Sequence, residues 1–188
     1  SESLEVRRAF GGVQPRLSPD GEWIVVSWQG AICRLPRPGG TLTRLTSAEG
    51  WDIAPAWSPD GGRIAFINTF NFSLGRLRVI QASDGSDVKL PAEVRARGKI
   101  EFHSDGRRLL GLFSVSGQPE RLSWYDSNSG ELKPVAIDPL DSVHRARMQW
   151  ALSNDGQWIA FTTYQDRPGE QDGNNGPQCE LWKVAAGG

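Results

Sequence analysis

Pro55-Ala56-Trp57-Ser58-Pro59-Asp60-Gly61-Gly62-Arg63-Ile64-Ala65-Phe66 reads as a short strand, a tight turn and a second, apolar strand. Proline at the second turn position presets φ, aspartate bonds its own backbone two residues on, and glycine accepts positive φ. The apolar run behind the turn is too short for a helix and rich in β-branched and aromatic side chains. The same pattern returns along the chain. Ser18-Pro19-Asp20-Gly21 precedes Trp23-Ile24-Val25-Val26, and His103-Ser104-Asp105-Gly106 precedes Leu109-Leu110-Gly111-Leu112. Ser153-Asn154-Asp155-Gly156 precedes Trp158-Ile159-Ala160-Phe161.

Working outward from each turn, a shorter strand is predicted before it: Val13–Leu17, Ile53–Trp57, Lys99–Phe102 and Met148–Leu152. A third strand follows at Ile32–Leu35, Leu77–Ile80, Arg121–Tyr125 and Glu180–Val184, and a fourth at Thr41–Leu45, Asp87–Leu90 and Glu131–Ile137. Four strands per unit at a period of roughly 40 to 50 residues is the sequence form of propeller blades. The expected fold is all-β: a single β-propeller domain over residues 1–188, made of four tandem four-stranded blades. Their expected bounds are about 12–46, 52–91, 98–137 and 147–188. Leu4-Glu5-Val6-Arg7-Arg8 reads as the outer strand that completes the last blade, which would remove an exposed sheet edge. The same residues fit a complete small ring, an arc of a larger one, or half of an eight-blade ring made by two chains.

Hydrophobic residues make up 38% of the 188 and charged residues 23%, ordinary values for a folded domain. Lys plus Arg (21) nearly balances Asp plus Glu (22), so overall charge points to no partner and argues against nucleic acid. No apolar run is long enough for a membrane-spanning helix. Cys33 and Cys179 lack metal-ligand spacing and read as free or buried thiols.

The repeat from Pro55 to Phe66, and its close copy from Pro15 to Val26, resembles the repeat of TolB-like propellers, also called PD40 or WD40-like repeats. The third and fourth copies depart from it by losing the turn proline, and the third also loses the preceding one. What the resemblance implies is a platform for protein or peptide contacts, in a periplasmic or secreted setting. Similar repeats also stand beside catalytic domains of prolyl-oligopeptidase-like, tricorn-like and amidohydrolase-associated proteins. The alternative expectation is therefore a substrate-gating part of a larger hydrolase.

The residues themselves show little catalytic machinery. No Gly-x-Ser-x-Gly elbow, His-Glu-x-x-His pair or phosphate-cradling glycine loop occurs, and no cofactor is expected. Asp20, Asp60, Asp105 and Asp155 repeat at one turn position, which gives them a structural role, and His103 falls at the same turn. The chain leading into the innermost strands holds the better candidates: Trp51, Asp52, Arg95, Arg97, Lys99, His144, Arg145 and Arg147. Arginine forks clustered on one sector suit a carboxylate or an acidic peptide segment. Phe70 and Phe72, with Trp28 and Trp51, are predicted near strand ends where a partner could bury them, whereas Trp23, Trp57, Trp158 and Trp182 read as core. Glu170, Asp172 and Asn174, in the insertion from Gln165 to Gln178, alternate as calcium ligands do, but Leu181 stands where the closing carboxylate belongs. The reading is a non-catalytic binding or scaffolding module with a protein or peptide partner of acidic character, no membrane insertion, and pairing of two chains as an open route.

Overall fold

A computed structural model describes residues 14–47, 49–115, 120–135, 149–165 and 178–186; of the side chains of 163–165 and 178–180 nothing is said. Blade 1 comprises β1 (Arg16–Leu17), β2 (Trp23–Trp28), β3 (Ala31–Pro36) and β4 (Thr43–Arg44). Blade 2 comprises β5 (Trp51–Trp57), β6 (Arg63–Thr69), β7 (Gly75–Gln81) and β8 (Asp87–Val88). Blade 3 comprises β9 (Arg95–Phe102), β10 (Arg108–Ser114), β11 (Arg121–Asp126) and β12 (Leu132–Pro134). Blade 4 comprises β13 (Trp150–Leu152), β14 (Trp158–Gln165) and β15 (Gln178–Ala185). All strand pairs are antiparallel, and the described residues contain no helix. The strand expected at Leu4–Arg8 lies outside the described residues.

The turns explain why these strands begin where they do. Ser58 Oγ donates to Asp60 Oδ1 at 2.5 Å and accepts the Arg63 N–H at 2.9 Å, while Asp60 Oδ1 also accepts the Gly62 N–H at 3.0 Å. Ser18 with Asp20 and Ser153 with Asp155 repeat this arrangement. These bonds to the charged form hold Asp20, Asp60 and Asp155 below the usual carboxylate range. In the third copy His103 replaces serine, and its Nδ1 accepts the Asp105 N–H at 3.1 Å. Asp105 then accepts the N–H groups of Arg107 and Arg108 and the Arg108 side chain. The turn survives the loss of proline because the aspartate does the bonding.

Strand alternation sends neighbouring residues to opposite seams. Val25 and Ile32 of blade 1 pack with Ile64, Phe66 and Ile80 of blade 2. Ala65, Leu77 and Val79 of blade 2 pack with Ala96, Leu109 and Tyr125 of blade 3. Leu110, Leu122 and Trp124 of blade 3 pack with Ile159, Phe161 and Ala186 of blade 4. Burying each large apolar side chain contributes about 1.5–3 kcal/mol, so the seams supply most of the stability. Trp57 follows the expectation of a core role in part, packing at the first seam while its Nε1 donates to the Arg16 carbonyl at 3.1 Å. Trp158 and Trp182 do not: both are exposed. Cys33 is a buried free thiol whose pKa burial raises.

One connection goes beyond the repeat pattern. β7 of blade 2 pairs with β9 of blade 3 at Gly75↔Ala96 and Arg76↔Arg95, and the Leu77 N–H donates to the Val94 carbonyl at 3.0 Å. Blades 2 and 3 thereby share a single eight-stranded sheet.

Candidate functional site

The innermost strands β5 and β9 share a deformation. Each carries a β-bulge, with Ala54 at φ 55° in one and Gly98 at φ 71° in the other. The bulged Ala54 N–H turns sideways and donates to Gln14 Oε1 of blade 1 at 2.6 Å. Upstream of these bulges, β5 and β9 bring Trp51, Asp52, Arg95 and Arg97 to one end of blades 2 and 3.

Asp52 corrects the expectation of a ligand contact. It is fully buried, with Thr46 Oγ1 donating to Oδ2 at 2.5 Å and Asn68 Nδ2 donating to Oδ1 at 2.7 Å. Its backbone carbonyl accepts from Ser27 Oγ at 2.5 Å, and its N–H donates to the Gly30 carbonyl at 3.1 Å. The carboxylate is a clip between blades 1 and 2, since a buried charge must have its hydrogen bonds made. Arg97 and Lys99 are also committed. Arg97 meets Glu120 at 3.4 Å; Lys99 meets Glu101 at 2.7 Å and lies over the Trp150 ring at 4.8 Å. His144, Arg145 and Arg147 lie outside the described residues, as do Glu170, Asp172 and Asn174. Among the described residues no cluster of His, Cys, Asp and Glu could hold a metal ion.

Arg95 stands apart from these. It is exposed at the start of β9, directly across the strand pair from Arg76. Arg76 is matched by Glu93 at 2.7 Å, whereas the Arg95 side chain has no hydrogen bond or ion pair among the described residues. Like charges directly opposite each other destabilise a sheet, so an Arg–Arg pair is a cost the fold itself does not explain. Both line a groove of about 830 Å³ between β7, the loop after β6 and the segment leading into β9. The groove carries the cations Arg76, Arg78, Lys89 and Arg95 against the anions Asp87 and Glu93. Its charge is therefore net positive. A second, smaller cavity of about 370 Å³ lies at the opposite, turn end of the blades, among Leu17, Trp57, Phe102 and Leu152.

The apolar wall of the groove comes from the loop after β6, where Asn71 Oδ1 accepts the Ser73 N–H at 3.2 Å and closes a tight turn. Phe70 is left 74% exposed, its ring against Gly50, where a Cβ would come within 3.3 Å of it. Phe72 is held at φ 57°, a left-handed conformation that bulky residues avoid, and packs on Trp51 with ring centroids 5.0 Å apart. Sequence reading placed Phe70, Phe72 and Trp51 at a partner surface and missed Arg76. The signal for Arg76 was present: Gly75-Arg76-Leu77-Arg78 alternates, sending both arginines to one face.

The chain matches no protein-family model and no curated protein. Solved structures with the same fold include TolB from Acinetobacter baumannii, 22% identical with a TM-score of 0.62, which covers 90% of this chain and 40% of that one. The β-propeller domain of the trilobed protease from Pyrococcus furiosus is 17% identical with a TM-score of 0.58, covering 91% of this chain and 53% of that one. An uncharacterized protein from Listeria monocytogenes is 12% identical with a TM-score of 0.54, covering 96% and 54%. The chain thus spans about half or less of the length of these structures. With their likeness, the repeated turns and the stacked antiparallel sheets, the chain has the β-propeller fold, of the kind seen in TolB.

Proposed function

We propose that the chain is a non-catalytic protein- or peptide-binding propeller module that seats an extended, acidic segment in the groove between Phe70 and Arg95. The observation that carries this reading is the cross-strand pair of Arg76 and Arg95 in a net positive groove with an exposed phenylalanine on its wall. Arg95 offers a planar fork for a carboxylate, and Phe70 offers apolar area for a neighbouring side chain. Screening the chain against an array of extended acidic and neutral peptides tests it. Acidic peptides with an aromatic or aliphatic neighbour should be captured, and Arg95→Ala or Phe70→Ser should weaken capture by about tenfold or more. Equal capture of neutral peptides, or acidic binding untouched by both substitutions, would overturn the reading.

The likeness to a protease's propeller domain supports a second reading, in which the same groove passes substrate segments to a catalytic domain of a larger protein. Sequencing the native gene on both sides of this chain separates the two, a catalytic motif favouring the second. The resemblance to TolB-like repeats also supports a periplasmic or secreted setting, which cell fractionation tests.

A further inference from the structure

The strand register puts the charges of the groove in order. Arg76 lies opposite Arg95, and Ile80 lies opposite Asp87. Side chains alternate along a strand, so Arg76, Arg78 and Arg95 share one face of the joined sheet. Each arginine of β7 takes a carboxylate from a diagonal position on the segment running along its outer edge. Arg78 Nη2 meets Asp87 Oδ1 at 2.5 Å, and Arg76 Nη2 meets Glu93 Oε2 at 2.7 Å. Long side chains reach such diagonal neighbours easily.

The two pairs are not equally fixed. The Arg78 side chain is only 26% exposed, and its guanidinium lies 5.4 Å from the Phe66 ring centre, so the blade itself holds it. The Arg76 and Glu93 side chains are 58% and 59% exposed. An ion pair this exposed is weak, because water screens it and two long side chains must be ordered to form it. Exchanging its carboxylate for another therefore costs little. Directly across the strand pair, Arg95 has no carboxylate among the described residues. Two guanidinium groups stand side by side with one internal acid between them, placed where an acid of a bound segment would sit.

We propose that Glu93 is a built-in stand-in for the ligand: a doubly acidic segment seats one carboxylate on Arg95 and a second on Arg76, displacing Glu93. This rests on the reading of the groove as the seat of an extended acidic segment, and it names which acidic segments the groove selects. Acids two residues apart in an extended chain project to the same side, about 6.5 Å from one another. Arginines on paired strands, with long side chains free to spread, span that distance. Adjacent acids project to opposite sides, so only one of them faces the sheet. A singly acidic segment takes Arg95 and leaves the Arg76–Glu93 pair in place.

Calorimetric titration tests the proposal with synthetic peptides alike except for a core of Glu-Ser-Glu, Gln-Ser-Glu, Glu-Glu-Ser or Gln-Ser-Gln beside one leucine. Glu-Ser-Glu should bind about tenfold more tightly than Gln-Ser-Glu or Glu-Glu-Ser. Arg76→Ala should reduce that preference to about twofold or less, because the seat of the second acid is gone. Glu93→Gln should tighten Glu-Ser-Glu by about two- to fivefold, the scale of one exposed ion pair. Both side chains are exposed, so neither substitution disturbs the core. Glu-Glu-Ser binding as tightly as Glu-Ser-Glu, a preference untouched by Arg76→Ala, or no tightening with Glu93→Gln overturns the proposal. If Gln-Ser-Glu still binds better than Gln-Ser-Gln and loses this with Arg95→Ala, the reading of the groove survives that outcome. No preference for any acidic peptide over Gln-Ser-Gln removes that reading and this proposal together.

Discussion

Arg34 of blade 1 and Trp124 of blade 3 occupy the same position of the repeat, opposite Val25 and Leu110, and each donates a side-chain N–H to the same main-chain carbonyl of the following blade. Arg34 Nη1 reaches Ala82 at 2.5 Å, and Trp124 Nε1 reaches Ala186 at 2.8 Å. The two side chains share no chemistry except a long reach ending in N–H. Val79, at this position in blade 2, cannot donate, and that seam is the one where the main chains of β7 and β9 pair instead.

Trp124→Phe isolates this bond, since phenylalanine keeps a ring for His103 and Arg108, both 5.3 Å away. The Ala186 carbonyl loses its donor, at a cost of about 1–2 kcal/mol. Hydrogen exchange followed by mass spectrometry should show faster exchange in Trp158–Thr162 and unchanged exchange in blade 1. Uniform acceleration across the chain would mean that the bond does not act locally.

Asp52→Ala should destabilise the chain more than any surface substitution, because buried Thr46 would lose its acceptor and half-buried Asn68 would keep only the Glu49 carbonyl. An orphaned group costs about 1–3 kcal/mol. Asp52→Asn keeps one acceptor and should fall between alanine and the unaltered protein. Urea denaturation gives the order, and an alanine variant as stable as the parent would contradict the clip between blades.

Gly75→Ala and Gly98→Ala should differ sharply. A Cβ on Gly75 would lie 2.6 Å from Ile67 Cγ2 and closer still to the Asn68 carbonyl oxygen, so the backbone must shift, at about 1–3 kcal/mol. A Cβ on Gly98 meets nothing within 4 Å, and only its φ of 71° opposes alanine, at about 1–2 kcal/mol. Thermal melts should show the larger loss for Gly75→Ala, and peptide capture in the groove should weaken with it.

Asp105 makes stability sensitive to acid. Burial opposes its ionisation, but the backbone N–H groups of Arg108 and Arg107, the Arg108 side chain and the neighbouring His103 hold its pKa at about 2, below the ordinary 3.8. A carboxyl whose pKa is lower folded than unfolded stabilises the fold above the unfolded value, and that contribution is lost as pH falls toward the folded one. The melting temperature should therefore drop between about pH 4 and pH 2, and Asp105→Asn should flatten part of that slope. A variant with the parent's acid profile would show that Asp105 contributes nothing to it.

The strands were legible because the repeat writes each turn and the alternation behind it. Asp105 kept the third turn readable after both prolines had gone. What the sequence could not show was which charges are already matched. Asp52 looks like a surface anion until Thr46 and Asn68 are brought to it by folding. Glu120 reaches Arg97 only through the β10–β11 turn region. Lys99 was different, since Glu101 lies two residues on along the same strand face and could have been matched on paper. The β7–β9 pairing had no sequence signal, because Gly75 and Ala96 mark it only by being small enough for two backbones to approach.

That pairing has a mechanical consequence. Blades joined by side-chain seams and at most a single main-chain bond, as Asp52 N–H to the Gly30 carbonyl joins blades 1 and 2, can tilt or slide against one another. Blades 2 and 3, laced by paired strands, move as one plate. The Arg76–Arg95 groove is cut into this plate and straddles no hinge, so a segment settling into it need not wait for the blades to align. Breathing of the molecule should concentrate at the two outer seams, leaving the recognition surface preassembled.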